Sequence, residues 1–196
     1  MRVGLGTGRA ATAGILALGA RVRDEGLRIT GVATSDRSEQ AARDAGIPTG
    51  PPGAPLDLAF DGADAIDPEG LCVKGAGGAM VRERVLAESA PRFLVLVDAP
   101  KIVTTLDEWG VLPLAVVPFA ADRVRDQLAD LDPTRREVLS DDGMVLIDLH
   151  PPAGADWRAV ADRARSLPGV LDHGLFTLVL GDVLIGHPDG TVTTAA

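Results

Sequence analysis

The chain has 196 residues, 46% hydrophobic and 24% charged, which suits one compact domain or a domain carrying a small lobe. No apolar run approaches the roughly 20 residues that a membrane span needs, and the opening Met1-Arg2-Val3-Gly4 lacks the charged-then-apolar pattern of a secretory signal, so a cytoplasmic protein is expected. A single cysteine, Cys72, excludes a disulfide framework or a thiolate zinc site, and the net charge of −9 argues against nonspecific binding to nucleic acid or anionic membranes.

Arg2 to Leu5 reads as a short apolar strand entering the glycine turn Gly6-Thr7-Gly8. Ala10 to Ala20 follows as a helix closing near Gly19. Leu27 to Thr34 alternates as a second strand, and Ser35 caps a helix that ends at Asp44 before Gly46. After a Pro/Gly loop, Leu56 to Phe60 is a strand delivering Asp61-Gly62-Ala63-Asp64 at its C-terminal end. Met80 to Ala90 is helical, and Phe93 to Val97 is the continuous apolar run of a buried parallel strand. This alternation predicts an α/β fold with an open, mostly parallel, doubly wound sheet.

From Val111 the pattern changes. Leu114 to Val117 is a strand and Ala120 to Leu131 a helix; Val138 to Ser140 and Met144 to Leu149 flank the Asp141-Asp142-Gly143 turn; Trp157 to Ser166 is a second helix. Together they predict a smaller α+β, ferredoxin-like lobe. Leu175 to Leu180 and Asp182 to Ile185 supply late strands, the last rejoining the first domain. The expected division is therefore 1–111 with 181–196 for the larger α/β domain and 112–180 for the lobe.

In an open α/β sheet, ligands bind beyond the C-terminal strand ends, where three unusual loops lie. Gly4-Leu5-Gly6-Thr7-Gly8-Arg9 fails as a dinucleotide fingerprint, because Arg9 stands where a small residue must let the helix approach. It reads either as an anion loop using backbone N–H groups, the Thr7 hydroxyl and Arg9, or as a glycine turn made for packing. Asp61 and Asp64 are spaced to hold sugar hydroxyls and shuttle protons, or to form an Asx turn or a cation site. Lys74-Gly75-Ala76-Gly77-Gly78 is a glycine-rich nest opening a helix that carries Glu83. Between Arg82 and Arg84, Glu83 is either a functional carboxylate or part of a solvated ion-paired face.

Of 19 basic residues only Lys74 and Lys101 are lysine, and a compact ammonium beside an oxyanion does what a guanidinium does not. His150, His173 and His187 are scattered and read as structural, and two Trp with four Phe offer no base-stacking platform.

Together these segments resemble ribose-5-phosphate isomerase type A. The resemblance runs through Val3 to Gly8, Gly31 to Ser35, Asp57 to Asp64, Lys74 to Ala79 with Arg82-Glu83, and Asp98 to Lys101. It continues through Pro113 to Phe119, the Asp141-Asp142-Gly143 hairpin, Leu167 to Val170 and His173 to Phe176. It implies interconversion of an aldose phosphate and a ketose phosphate, ribose 5-phosphate and ribulose 5-phosphate, through an enediolate. Neither metal nor organic cofactor is implied.

By the same resemblance Glu83 is the general base, Asp61 and Asp64 assist ring opening, and Lys74 stands beside the developing oxyanion. Substrate binding falls to Gly6, Thr7, Gly8, Arg9 and Ala10, to Gly62 and Ala63, to Gly75, Ala76 and Gly77, and to Lys101. A homodimer or homotetramer is implied as well. The chain departs from the family at Arg9-Ala10, where hydroxyl residues are usual, at Ala65, where glutamate is usual, and in lacking a helix before the first strand. The alternatives are an isomerase of a modified pentose and a noncatalytic sugar-phosphate-binding protein, for which Glu83 would have little use.

Overall fold

The computed structural model describes residues 1–177 and 182–195. In chain order the first elements are β1 (Arg2–Leu5), α1 (Arg9–Glu25), β2 (Thr30–Ala33), α2 (Asp36–Asp44), β3 (Leu58–Asp61), β4 (Ala65–Ile66), β5 (Leu71–Val73), α3 (Met80–Ser89) and β6 (Phe93–Asp98). There follow β7 (Leu112–Val116), α4 (Ala121–Gln127), β8 (Thr134–Leu139), β9 (Val145–Leu149), α5 (Trp157–Arg165), β10 (Val170–His173), β11 (Leu175–Thr177), β12 (Val183–Gly186) and β13 (Val192–Thr194). The expected strand Leu175 to Leu180 is seen as far as Thr177; its remainder lies outside the described residues.

Two compact units form. One comprises residues 1–62, 82–99 and 179–196, and the other residues 63–81 and 100–178. The first is built on a sheet of order β13-β12-β6-β3-β1-β2, parallel except for β13. Val3, Leu5 and Phe60 point to one face, where they pack with Ile15 of α1 and Ala42 of α2; Val32 and Ala59 point to the other, where they meet Leu86 of α3. Successive residues facing opposite ways, each covered by helix, make the sheet doubly wound as expected.

Helix α1 does not close at Gly19. It runs to Glu25 and ends at Gly26, whose left-handed backbone (φ 69°) donates its N–H to the Arg21 carbonyl. Gly19 instead lets α2 approach: a Cβ there would lie 2.5 Å from both the Cβ and the carbonyl oxygen of Ala45. Ser35 caps α2 as expected, its side chain accepting from the Ser38 N–H.

The second unit holds two antiparallel sheets. Its four-stranded sheet has order β10-β7-β9-β8, the arrangement produced when two strand-helix-strand units interleave. Leu114 and Ile147 pack one sheet face against Val124 of α4 and Trp157 and Ala161 of α5. Ala115 and Leu146 turn the other face to Met80, at the start of α3. The three-stranded sheet β11-β5-β4 has no counterpart in the sequence reading. Its strands are two or three residues long and β4 and β5 are wholly buried, leaving no alternation to read.

Asp107 ties this unit together, accepting from the Trp157 indole N–H at 2.9 Å and the Gly154 N–H at 2.7 Å. Those two bonds, the indole first, hold its carboxyl below the usual range. A depressed folded-state value stabilises the fold above the ordinary carboxylate value of about 3.9 and loses that contribution as pH falls below it. Thermal melts between about pH 4.5 and pH 3 should therefore show wild type losing stability faster than Asp107→Asn, the two converging at the acid end. Gly19→Ala tests the helix contact. Alanine's propensity advantage of about 1 kcal/mol is opposed by overpacking of roughly 1–3 kcal/mol, so urea denaturation should show a net loss.

Candidate active site

In the first unit the loop after β1 and the end of β3 are stitched together. The Gly6 N–H donates to the Phe60 carbonyl at 2.9 Å, and the Thr7 N–H to Asp61 Oδ1 at 2.9 Å. Gly62 donates to the same Oδ1 at 2.7 Å. A Cβ on Gly6 would overlap the Asp61 carboxyl and lie 2.5 Å from its Cα, so glycine is required for the approach. Asp61 is only 1% exposed. Its carboxylate is thus oriented by backbone from two directions, which an Asx turn at an exposed strand end would not provide.

The Thr7 hydroxyl is buried beside three others. Thr34 Oγ1 lies 2.7 Å away, Ser35 Oγ 2.8 Å and Ser38 Oγ 3.0 Å. Ser38 and Thr34 also donate to the Gly6 and Leu5 carbonyls. This hydroxyl cluster joins the β1 loop to the start of α2, and the sequence reading singled out only Thr7 from it. The spacing Thr34-Ser35-x-x-Ser38 carries the signal, with Ser35 also serving as the helix cap.

Gly8, at φ 108°, opens α1 without a side-chain cap, and the first turn carries the exposed Arg9 and no acid. Ala10 borders Gly62, whose added Cβ would stand 3.8 Å from the Ala10 Cβ. Glu83, in the first turn of α3, is 3% exposed, while its neighbour Arg82 pairs with Asp36 at 3.3 Å. The solvated-face reading therefore describes Arg82 and does not describe Glu83.

In the second unit Asp64 donates its N–H to the Val73 carbonyl at 2.8 Å, while its Oδ2 accepts from the Ala76 N–H at 2.9 Å. Lys74 is 2% exposed; its N–H donates to Gly174, and its ammonium stands 5.7 Å from the centre of the Phe176 ring. Gly75 and Gly78 both have positive φ, and the Gly78 N–H closes a turn on the Gly75 carbonyl. Ala76 and Gly77, between them, are exposed, and Ala63 is half-buried. Lys101 ends a short 3-10 turn with its ammonium 4.9 Å from the centre of the Trp109 ring, and it makes no hydrogen bond to Asp64 or the glycine loop.

Arg136 reaches that loop from β8, an arrangement absent from the sequence reading. Its Nη1 donates to the Gly75 carbonyl at 2.9 Å and to the Ala76 carbonyl at 3.1 Å. Among the described residues no cluster of His, Cys, Asp and Glu could hold a metal ion. Each histidine makes a local hydrogen bond: His150 meets the Asp132 carbonyl, His187 the Thr193 hydroxyl, and His173 Nδ1 accepts from the Leu175 N–H.

Residues 30–190 match the sequence profile of ribose 5-phosphate isomerase A (phosphoriboisomerase A). The chain belongs to the ribose 5-phosphate isomerase A family. It is 39% identical over 208 residues to ribose-5-phosphate isomerase A of Roseobacter denitrificans, covering 98% of this chain and 79% of that one. With the protein of that name from Natronomonas pharaonis it shares 42% over 200 residues, covering 97% and 87% respectively. The solved ribose 5-phosphate isomerase A of Methanocaldococcus jannaschii matches with a TM-score of 0.90 at 33% identity, over 99% of this chain and 90% of that structure. The chain carries acids at 61, 64 and 83 and lysine at 74; Asp61, Lys74 and Glu83 are buried and Asp64 is half-buried.

Proposed function

We propose that the protein interconverts ribose 5-phosphate and ribulose 5-phosphate, an intramolecular oxidoreduction. One carbon is oxidised as its neighbour is reduced, so the chemistry needs no external electron acceptor. Glu83 takes the C2 proton of the open-chain aldose and, after exchange with solvent, delivers a proton to C1, while a proton passes from O2 to O1. Lys74 offsets the negative charge of the enediolate between the two steps. Asp61 and Asp64 assist ring opening and hold the sugar hydroxyls, and Gly62, Ala63, Gly75, Ala76, Gly77 and Lys101 contact the substrate. The phosphate lies with Gly6, Thr7, Gly8, Arg9 and Ala10, where unpaired N–H groups of the first helical turn and the guanidinium favour an anion.

The observation that carries this reading is Glu83: in a chain of this family, the carboxylate sits 3% exposed at the start of a helix, where a general base is shielded from water. The same reading makes the protein cytoplasmic, and no helix among the described residues is long and apolar enough to cross a membrane. It also makes the protein a homodimer or homotetramer. Phe119 and Leu171, both exposed on the second unit, offer apolar surface for that association.

Proton NMR in deuterated water tests the chemistry. Wild type should convert ribose 5-phosphate to the ketose with deuterium entering at C1 and C2, and Glu83→Gln should lower kcat by about 10²–10⁴-fold. Turnover without deuterium entry, or undiminished in Glu83→Gln, would remove Glu83 as the base. Arg9→Ala, losing one charge-assisted contact, should raise KM for ribose 5-phosphate about tenfold with kcat nearly unchanged. An unchanged KM would place the phosphate elsewhere.

A further inference from the structure

The Lys74–Gly78 loop is held by a residue 60 positions further along the chain. β8 pairs with β9 at Thr134, Arg135 and Leu139, but Arg135 faces Ile147 while Leu139 faces Val145, so four steps on β8 span two on β9. Such a bulge breaks the ladder, bends the strand and re-aims the side chains within it. Arg136 is the first residue inside it. Its side chain is 17% exposed, and its guanidinium forms a two-pronged contact with Asp148, Nε to Oδ2 at 2.8 Å and Nη2 to Oδ1 at 2.6 Å. That fork fixes the plane of the guanidinium and directs Nη1 at the carbonyls of Gly75 and Ala76.

The consequence falls on two successive peptide groups. In the first, the Gly75 carbonyl accepts from Arg136 while the Ala76 N–H at its other edge donates to Asp64. That peptide is gripped on both sides. In the second, the Ala76 carbonyl accepts from the same Nη1, which turns the Gly77 N–H to the opposite edge, since a trans peptide points its two polar groups apart. Gly75 has a φ of 104° and Gly78 one of 81°, conformations that favour glycine and leave the peptides between them easy to rotate. A loop with that freedom needs external constraints to present fixed donors, and Arg136 supplies one beside the Gly78–Gly75 turn bond, the Ala76 N–H to Asp64 and the Lys74 N–H to Gly174.

We propose that Arg136 is a positioning residue for the reaction: with Asp148 behind it, Arg136 orients the Gly75–Gly77 peptides, and through them Asp64 and the backbone beside Lys74. Lysine cannot substitute, because a single ammonium lacks the planar fork that engages a carboxylate and two carbonyls together. The kinetic part of this proposal rests on the isomerase reading above; the structural part does not.

The test uses the full chain with Arg136→Lys, Arg136→Ala and Asp148→Asn. Misaligned donors act chiefly on the transition state, so each variant should lower kcat for ribose 5-phosphate by about 10–100-fold while KM changes by less than about threefold. Guanidinium added at tens of millimolar should restore part of the turnover of Arg136→Ala and none of that of Glu83→Gln. Amide exchange at Ala76 and Gly78, followed by NMR, should speed up about tenfold or more in Arg136→Lys. Kinetics within twofold of wild type in folded variants, or a lowered melting temperature with intact kinetics, would overturn the proposal. Should Arg136→Ala fail to fold, Arg136→Lys and Asp148→Asn decide by the same readouts. Were wild type itself inactive on ribose 5-phosphate, the isomerase reading would fall, and amide exchange alone would decide: unchanged exchange overturns the positioning role.

Discussion

The close approach of β1 to β3 is the constraint on which the first unit depends. Gly4 and Gly6 have no room for a Cβ, the first against Ala59 at 2.7 Å and the second against Asp61 itself. Because the strands lie that near, the loop leaving β1 passes within hydrogen-bond range of the β3 terminus, and two backbone N–H groups converge on one carboxylate oxygen. The orientation of Asp61 is therefore a by-product of strand packing. The same loop then starts α1 and meets the hydroxyls of α2, so packing, helix initiation and carboxylate placement follow from two missing methyl groups.

The fold was legible wherever a segment carried its own periodicity. The apolar run Phe93 to Val97, the capping Ser35 and the hairpin around Asp141-Asp142-Gly143 each contain the reason for their structure locally. Gly19 shows the opposite case. A glycine inside a helical stretch reads as a stop, yet its purpose is the contact with Ala45, which only the folded chain reveals. The sheet β11-β5-β4 escaped for a related reason: its strands are too short to alternate, and β11 lies about a hundred residues beyond β5.

Among the candidate residues the split is similar. Asp61, Asp64 and Lys74 stand in loops marked by glycines, Glu83 lies on the helix that the Gly75–Gly78 loop opens, and the rarity of lysine in this chain made Lys74 and Lys101 conspicuous. Arg136 had no such contrast, being one of 17 arginines with no unusual neighbour. What distinguishes it is the bulge in β8 and the carboxylate of Asp148, and both are properties of a strand pair. Composition singled out the scarce cation and hid the abundant one.

The two tryptophans differ in a way that makes the second unit optically informative. The Trp109 ring lies under a positive charge, the Lys101 ammonium, and the Trp157 indole is pinned to the Asp107 carboxylate. An indole's emission follows the electric field across it, and the two tryptophans sit in fields of opposite sign, an ammonium beside Trp109 and a carboxylate beside Trp157. The chain has no tyrosine to add a competing signal. The residue that gives Lys101 its resting place thereby gives the protein a built-in fluorescent gauge of charge at that point.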